Sequence, residues 1–240
     1  MLFYYLRHAD PIYNPDSLTE LGKRQAEALG RRLASHGIDK IYASSSQRAQ
    51  DTARPTAEMT KKNVTVIDWA NETYHYKEAT VDLGDGRKNW LMHTPEYKLI
   101  FRSDEVRALG KEWYTHKAFR DFPIGEGMKR IGREADALFA ELGYEHDREN
   151  NCYKAVRHNR DRVALFAHQG FGIAFLSQVL DVPYPEFCTS FDLNHSSMTV
   201  IEFEPLPGTD KVLPIVRTLS NDSHLYRDGL PTRFCNTEFI

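Results

Sequence analysis

Cysteine is scarce in this 240-residue sequence, and charge of one sign is not in excess. Its cysteines, Cys152, Cys188 and Cys235, are three in number and lack CxxC spacing, which argues against a disulfide framework or a zinc site and predicts reduced thiols. Lys and Arg total 31 against 34 for Asp and Glu. No broad basic surface is therefore expected to attract nucleic acid or an anionic membrane.

The sequence also lacks long apolar runs and metal-binding motifs. The apolar start, residues 1–6, is too short for a signal peptide and has no basic beginning, and no later run approaches membrane-spanning length. The ten histidines form no HxxxH or HExxH pair. We therefore expect a soluble cytoplasmic protein without a metal, another cofactor, or a membrane or nucleic-acid partner.

A regular alternation of strands and helices occupies the first 69 residues. Apolar strands are predicted for MLFYYL, IDKIYAS and NVTVIDW. Between them lie a helix from Ser17 or Thr19 to Gly37 and a second helix in SSSQRAQDTARPTAEM, which Pro55 is expected to kink or end early. This alternation predicts a parallel sheet with helices on its faces.

The alternation stops between Ala70 and about Asp161 and then returns. The interrupted part contains two predicted helices, near Asp104–Lys117 and Gly127–Leu142, and a polar stretch, 145–162, that we interpret as a mobile loop. RVALFAHQG, FGIAFLSQVL, SSMTVIEFEP and VLPIVRTLS restore the sheet pattern. We expect one domain, 1–240, with a largely helical cap inserted at approximately 73–161.

Two predicted strands end in a histidine. His8 follows Arg7 after the first strand, and His168 ends RVALFAH. Arg48 lies in the first turn of the helix that follows the strand IDKIYAS. The carboxyl ends of parallel strands meet at one sheet edge, where open α/β folds bind ligands. Two guanidiniums and helix amino-terminal N–H groups suit a phosphoryl group, which a neutral imidazole there could attack.

The motifs LRHAD, LTELGKRQAEALG, SSSQRAQDTA, FAHQG and LSNDSHL resemble, in order, those of the histidine phosphatase superfamily, which has the phosphoglycerate mutase-like fold. The resemblance covers roughly residues 1–72 and 126–224. It implies that His8 is the phosphorylated nucleophile and that Arg7, Arg48, His168 and Asn14 contact the phosphoryl oxygens. Ala9 and Gln169 stand where this family commonly has glycine, and the Ala9 methyl is expected to narrow the approach to His8.

The resemblance also implies a carboxylic acid that protonates the departing oxygen. Glu72 in DWANET fits best because it follows the third strand at once. Glu78 competes for the role, and both could instead be solvated loop carboxylates.

Further candidates have weaker support. His195 is either close to the phosphoryl group or a structural histidine, and both interpretations stay open. Asp10 fits a turn before Pro11 better than a catalytic acid. The charged residues Arg87, Lys88 and His93 could contact substrate or simply form a solvated surface.

The combined prediction is an α/β protein, a three-layer αβα sandwich with a mostly parallel sheet and an inserted cap. Its predicted activity is metal-independent hydrolysis of a small phosphate monoester through a phosphohistidine. One alternative is a phosphoglycerate-type mutase, although the segment between His8 and Leu18 lacks the longer Trp-containing loop of those mutases. Another is a catalytically slow protein that binds a phosphorylated ligand. The sequence identifies neither the substrate nor the oligomeric state.

Overall fold

The computed structural model of the protein describes residues 1–84 and 86–232; Cys235 lies outside this part. Its strands are β1 (Leu2–Arg7), β2 (Pro11–Tyr13), β3 (Asp16–Leu18), β4 (Lys40–Ser44), β5 (Val64–Ile67), β6 (Thr80–Asp82), β7 (Lys88–Trp90), β8 (Tyr144–Asp147), β9 (Cys152–Ala155), β10 (Arg162–Ala167), β11 (Met198–Glu202), β12 (Lys211–Val212) and β13 (Ile215–Asn221). Its α-helices are α1 (Glu20–His36), α2 (Gln47–Thr60), α3 (Glu72–Glu78), α4 (Pro95–Phe101), α5 (Asp104–Ala108), α6 (Ile124–Glu141), α7 (Gln169–Val179), α8 (Tyr184–Ser190) and α9 (Ser223–Arg227). Among the described residues, no helix has the length and apolar character needed to cross a membrane.

A six-stranded sheet forms the middle layer, in the order β13-β11-β1-β10-β4-β5. Strands β1, β10, β4 and β5 are parallel. Strand β11 runs antiparallel to β1, and β13, which is antiparallel to β11, has the same direction as β1. Alternate residues of β1 face opposite sides, as the pleat requires. Phe3 and Tyr5 pack in the cluster that contains α6 and α7, and Tyr4 and Leu6 pack in the cluster that contains α1 and α2. The predicted three-layer α/β fold is confirmed.

The structure confirms the predicted start of α1 and contradicts the predicted early end of α2. Thr19 caps α1 by accepting a hydrogen bond from the Gly22 N–H at 3.0 Å, which selects one of the two predicted starts. Helix α2 continues through Pro55 to Thr60, so the predicted early end is wrong. A Cβ on Gly30 of α1 would lie 3.0 Å from the Pro55 Cβ, so α1 and α2 approach each other closely at this proline.

The segment between β5 and β10 is more varied than predicted. A short α5 and a 3-10 helix, Gly110–Thr115, replace the single helix expected to reach Lys117. Helix α6 packs on the sheet, where the Phe139 ring lies 5.0 Å from the Phe3 ring. This helix therefore belongs to a layer that flanks the sheet. The division into one domain with a cap at approximately 73–161 stays a prediction.

The polar stretch 145–162 is not the irregular loop that we predicted, because β8 and β9 form a hairpin within it. Tyr153 is fully buried, and the buried His146 ring stacks on it with centroids 4.0 Å apart. Asp136 lies 2.8 Å from His146 Nδ1, and Asp181 lies 2.9 Å from its Nε2. Two carboxylates thus satisfy a polar residue whose burial the local sequence does not indicate.

These carboxylates change the pKa of His146. Burial alone favours the neutral ring, but the hydrogen bonds with Asp136 and Asp181 outweigh it and raise the pKa above the ordinary 6.5. The pair of hydrogen bonds joins α6, β8 and the end of α7 through a protonated imidazole. Its stabilisation is therefore complete below the unfolded pKa and is lost as the pH rises through the folded pKa.

Replacing His146 tests this linkage. We expect His146→Gln to reduce the free energy of unfolding by about 2 kcal/mol at pH 6, because hydrogen bonds to a charged group are lost. The deficit should shrink as the pH rises, since His146 then deprotonates in the parent protein. Urea denaturation from pH 6 to 9 measures it, with the exposed His158→Gln as the matched control. A deficit that stays constant with pH would contradict a protonated His146.

Trp90 of β7 joins the inserted segment to the amino-terminal end of α7. Its ring lies beside those of His75 and Tyr76, with centroids 5.6 and 5.3 Å away. A Cβ on Gly170 would lie 2.5 Å from this indole. Glycine at position 170 therefore allows Trp90 to pack directly on the helix backbone.

A double-mutant cycle tests this contact. Gly170→Ala should lower the free energy of unfolding by about 1–3 kcal/mol, because the indole must move away from the new methyl group. The same substitution should cost clearly less in a Trp90→Ala background, where no ring is displaced. Urea denaturation of the four proteins gives the coupling, and strict additivity would show that Trp90 does not constrain position 170.

Candidate active site

The ends of β1 and β10 place two histidines next to each other. Arg7 and Ala167 are partners in the parallel register, so His8 and His168 leave the sheet side by side. Their buried rings lie 5.3 Å apart. The structure thus brings together the two strand-end histidines predicted from the sequence, at the carboxyl edge of the sheet.

His8 presents one nitrogen without a hydrogen-bond partner. Its Nδ1 lies 2.8 Å from the Ala9 carbonyl oxygen, which can only accept, so this hydrogen bond assigns the ring proton to Nδ1. Nε2 is buried and has no partner within the described residues. Burial lowers the pKa of His8 well below its ordinary value, and the neighbouring His168, Arg48 and Arg7 lower it further. His8 is therefore neutral, with the lone pair on Nε2.

Arg7 is held from the loop that precedes β11. One terminal nitrogen donates to the Leu193 carbonyl oxygen, and the other lies 2.7 Å from His195 Nε2. A guanidinium cannot accept, so His195 accepts here through Nε2. The His195 ring also lies 5.4 Å from that of His8. The contacts place His195 against both Arg7 and His8, and both interpretations of this histidine stay open.

Arg48 and His168 contact each other directly. Arg48 Nη2 donates to His168 Nδ1 at 3.1 Å, so the neutral His168 carries its proton on Nε2, which lies 2.8 Å from the Ser44 hydroxyl. Burial lowers the pKa of His168 well below its ordinary value, and Arg48 and Arg7 add to this effect. Both histidines of the pair are therefore neutral.

Asp16 is a site residue that the sequence reasoning missed. Its carboxylate accepts from Arg48 Nη1 at 2.9 Å and from the Gln47 N–H, the first of α2, at 2.8 Å. One of the helix N–H groups expected to bind a phosphoryl group is therefore occupied by this carboxylate. Asp16 is 32 residues from Arg48, and only the fold of the β2–β3 hairpin brings the two together.

Glu72 and Glu78 lie on the same helix but in different surroundings. Glu72 Oε1 accepts from the Gly170 N–H at 2.8 Å, and its Oε2 lies 3.5 Å from Arg48 Nη2 and 3.9 Å from His168 Nδ1. Glu78 instead accepts two hydrogen bonds from Arg130 Nη2, at 3.0 and 3.1 Å. The structure brings Glu72, and not Glu78, to the two histidines.

The residues around Glu78 also fix its charge. Burial alone would raise the pKa of Glu78, but hydrogen bonds from His75 and Arg130 lower it overall. Glu78 is therefore held as the carboxylate.

The remaining candidates lie around this centre. Asn14 is in the exposed turn of the β2–β3 hairpin, and its side chain makes no hydrogen bond with the described residues. Gln169 donates to Asp192, and Asp10 accepts from the Thr19 hydroxyl at 2.7 Å.

The structure also describes the charged residues of the inserted segment and the alanine that follows His8. Arg87, Lys88 and His93 are exposed. Ala9 packs with Leu18 and Ala26 in a small apolar cluster, and the narrowing of the approach to His8 by its methyl group stays a prediction.

The centre contains atoms of the kind that bind metals. Ligand atoms of His8, Glu72 and His168 lie within 4.8 Å of one another. However, the Arg48 guanidinium already donates to His168 and lies 3.5 Å from Glu72, and a divalent cation would be repelled by this charge. The positive charge of Arg48 therefore makes this centre more suitable for an anion than for a metal ion.

Sequence comparison identifies one family. Residues 3–77 match the family model of the histidine phosphatase superfamily (branch 1). None of the curated protein sequences compared with the chain matches it significantly.

Solved structures share the fold over nearly the whole chain. The mycobacterial glucosyl-3-phosphoglycerate phosphatase has 21% identity and a TM-score of 0.58, covering 91% of this chain and 98% of its own. The Entamoeba histolytica phosphoserine phosphatase, a mutant bound to phosphoserine, has 16% identity and a TM-score of 0.56, with 93% and 98% coverage. A putative alpha-ribazole-5'-P phosphatase from Escherichia coli has 18% identity and a TM-score of 0.57, with 92% and 97% coverage. The resemblance to the histidine phosphatase superfamily that the motifs predict is therefore confirmed over residues 3–77, and the solved structures share the fold of more than 90% of the chain.

Proposed function

We propose that this protein is a metal-independent phosphatase that hydrolyses a small phosphate monoester through a phosphohistidine on His8. One observation carries the proposal: Arg7 Nε, His8 Nε2 and Arg48 Nε are among the buried nitrogen atoms that have no hydrogen-bond partner in the described residues. The two guanidinium nitrogens are donors, and His8 Nε2 carries a lone pair. Two cationic donors around one nucleophile suit an anionic electrophile, which a phosphoryl group is.

The first displacement would form a bond between His8 Nε2 and phosphorus while the ester P–O bond breaks. Arg7 and Arg48 stabilise the charge on the phosphoryl oxygens, and Glu72, in its carboxyl form, gives its proton to the leaving oxygen. The hydrogen bond from His8 Nδ1 to the Ala9 carbonyl holds the ring in the attacking tautomer. The product alcohol then leaves.

In the second displacement, Glu72 would act as the base instead of the acid. A water oxygen attacks phosphorus, the P–N bond breaks, and the proton of that water passes to the Glu72 carboxylate. Inorganic phosphate leaves, and both His8 and the Glu72 carboxyl group are restored. Each step moves one proton through Glu72, so the cycle balances without a metal-bound water.

Glu72 is supported as this acid by its place beside the two histidines. Its carboxylate lies near Arg48, His168 and the Gly170 N–H, whereas Arg130 holds Glu78 as the carboxylate. A group that must donate a proton is poorly served by a bidentate arginine. The names of the solved structures that share the fold, a glucosyl-3-phosphoglycerate phosphatase and a phosphoserine phosphatase, agree with a small phosphorylated substrate.

Replacing His8 tests the covalent step. We expect His8→Ala to abolish phosphate release and the acid-labile, alkali-stable phosphoprotein together, because no other neutral imidazole in the centre has an unpartnered Nε2. Rapid-quench labelling with a ³²P-ester in the presence of a chelator measures both. Normal turnover by His8→Ala would exclude the mechanism, and a parent activity lost to chelation and restored by a divalent metal would exclude metal independence.

Comparing leaving groups separates Glu72 from Glu78. An alkoxide needs a proton as the P–O bond breaks, whereas a nitrophenolate needs little help. Glu72→Gln should therefore slow the first displacement about 100-fold or more with an alkyl phosphate and much less with nitrophenyl phosphate. Glu78→Gln, the matched control on the same helix, should affect both substrates equally and weakly. A selective defect in Glu78→Gln, or an equal defect in Glu72→Gln, would reassign the acid.

A further inference from the structure

His224 is a buried histidine that the proposed mechanism does not use. It lies in α9, within the motif LSNDSHL. Arg32 Nη1 lies 3.4 Å from its Nδ1, and the Ser196 hydroxyl oxygen lies 3.1 Å from its Nε2. Burial lowers the pKa of His224 to about 4, and the positive charge of Arg32 adds to this effect. The ring is therefore neutral at neutral pH.

The partners of His224 fix the direction of each hydrogen bond. A guanidinium can only donate, so Arg32 donates to Nδ1, and the ring proton of the neutral His224 is on Nε2. The Nε2–H group then donates to Ser196 Oγ, whose own proton is directed to the Gln25 carbonyl oxygen at 3.3 Å. A chain of hydrogen bonds thus joins α1 and α9 to the loop before β11.

Ser196 has a backbone conformation that favours glycine. Its φ is +61°, in the left-handed region where the side chain of an L-amino acid is crowded. In this conformation the Ser196 N–H donates to the His8 carbonyl oxygen at 3.1 Å. The carbonyl oxygen of the next residue, Ser197, accepts from the Arg7 N–H at 3.1 Å. The backbone of this loop therefore holds the two residues at the end of β1.

His195 directly precedes Ser196 in the same loop. Its Nε2 accepts from Arg7 at 2.7 Å, and its ring lies 5.4 Å from that of His8. A change in the backbone angles of Ser196 would therefore displace the His195 ring as well as the N–H group that holds the His8 carbonyl. The buried Ser196 hydroxyl, which is held at both of its hydrogen bonds, resists such a change.

We propose that His224 is a positioning residue for His8. By holding the Ser196 hydroxyl, it keeps the Ser196 backbone in the conformation that supports both Arg7 and His8. The proposal rests on the proposed phosphatase function and adds to it a residue that touches neither the substrate nor the reacting atoms. Small displacements of a nucleophile reduce the rate strongly, which is why a contact at this distance can matter.

Two substitutions of His224 test the hydrogen bond to Ser196. His224→Leu removes the donor and keeps a similar volume, whereas His224→Gln keeps an amide N–H close to the position of Nε2. With nitrophenyl phosphate as substrate, we expect His224→Leu to lower kcat about 10- to 100-fold and His224→Gln to recover most of this loss. Ser196→Ala should lower kcat similarly, and His224→Leu should have little further effect in the Ser196→Ala background.

His146→Gln is the matched control, because His146 is another buried histidine held by two hydrogen bonds. It should reduce stability and leave kcat unchanged, and urea denaturation of each variant measures the stability. A similar fall of kcat in His146→Gln, no recovery in His224→Gln, or strict additivity of His224→Leu and Ser196→Ala would overturn the proposal. If His224→Leu does not fold, Ser196→Ala decides alone, and an unchanged kcat in that variant would overturn it.

A binding measurement separates this inference from the phosphatase mechanism. Titration calorimetry with inorganic phosphate requires no turnover, and we expect binding to weaken about 3- to 10-fold in His224→Leu and to recover in His224→Gln. This result supports the positioning role even if the parent protein hydrolyses no ester, an outcome that would reject the proposed function alone. Equal phosphate affinities in the three proteins, or no binding by the parent, would overturn the positioning role.

Discussion

Burial of positive charge at the end of the central strand is the constraint on which this structure depends. A guanidinium as deeply buried as Arg7 is strongly destabilising unless its donors are paired. The Leu193 carbonyl and His195 Nε2 accept from the two terminal nitrogens of Arg7, and both belong to the loop before β11. The antiparallel β11 beside β1 is therefore needed to keep Arg7 inside. Burial lowers the pKa of His8, and the charge of Arg7 adds to this effect, so the imidazole stays neutral next to two cations.

Carboxylates of the chain organise the other side of the centre. We expected helix N–H groups to face a phosphoryl group, but the Gln47 N–H donates to Asp16 and the Gly170 N–H donates to Glu72. Both carboxylates also lie against Arg48. The orientation of this guanidinium is thus fixed before any ligand arrives, and such preorganisation avoids the cost of ordering it later. Asp16 acts through Arg48 and is a positioning residue in this arrangement.

The sequence was sufficient for the parts of the fold that depend on local pattern. Apolar strands that end in His8 and His168, and the topological rule for parallel strands, were enough to predict where the two rings meet. Asp16 and the β8–β9 hairpin were not predictable in this way. Asp16 acts on a residue 32 positions away, and His146 is buried only because Asp136 and Asp181 reach it from other elements. Such long-range polar pairs leave no periodic signal in the sequence.

Ala9 and Gln169, the two residues at which the chain departs from the motifs that it resembles, have different surroundings. Ala9 packs its methyl against Leu18 and Ala26, while its N–H donates to Thr52, so no glycine is required beside His8. After His168, the position that excludes a side chain is Gly170, where a Cβ would meet the Trp90 indole. Gln169, one residue earlier, is free to reach Asp192. The requirement for glycine at position 170 therefore follows from the close approach of Trp90, and no such contact restricts the preceding residue.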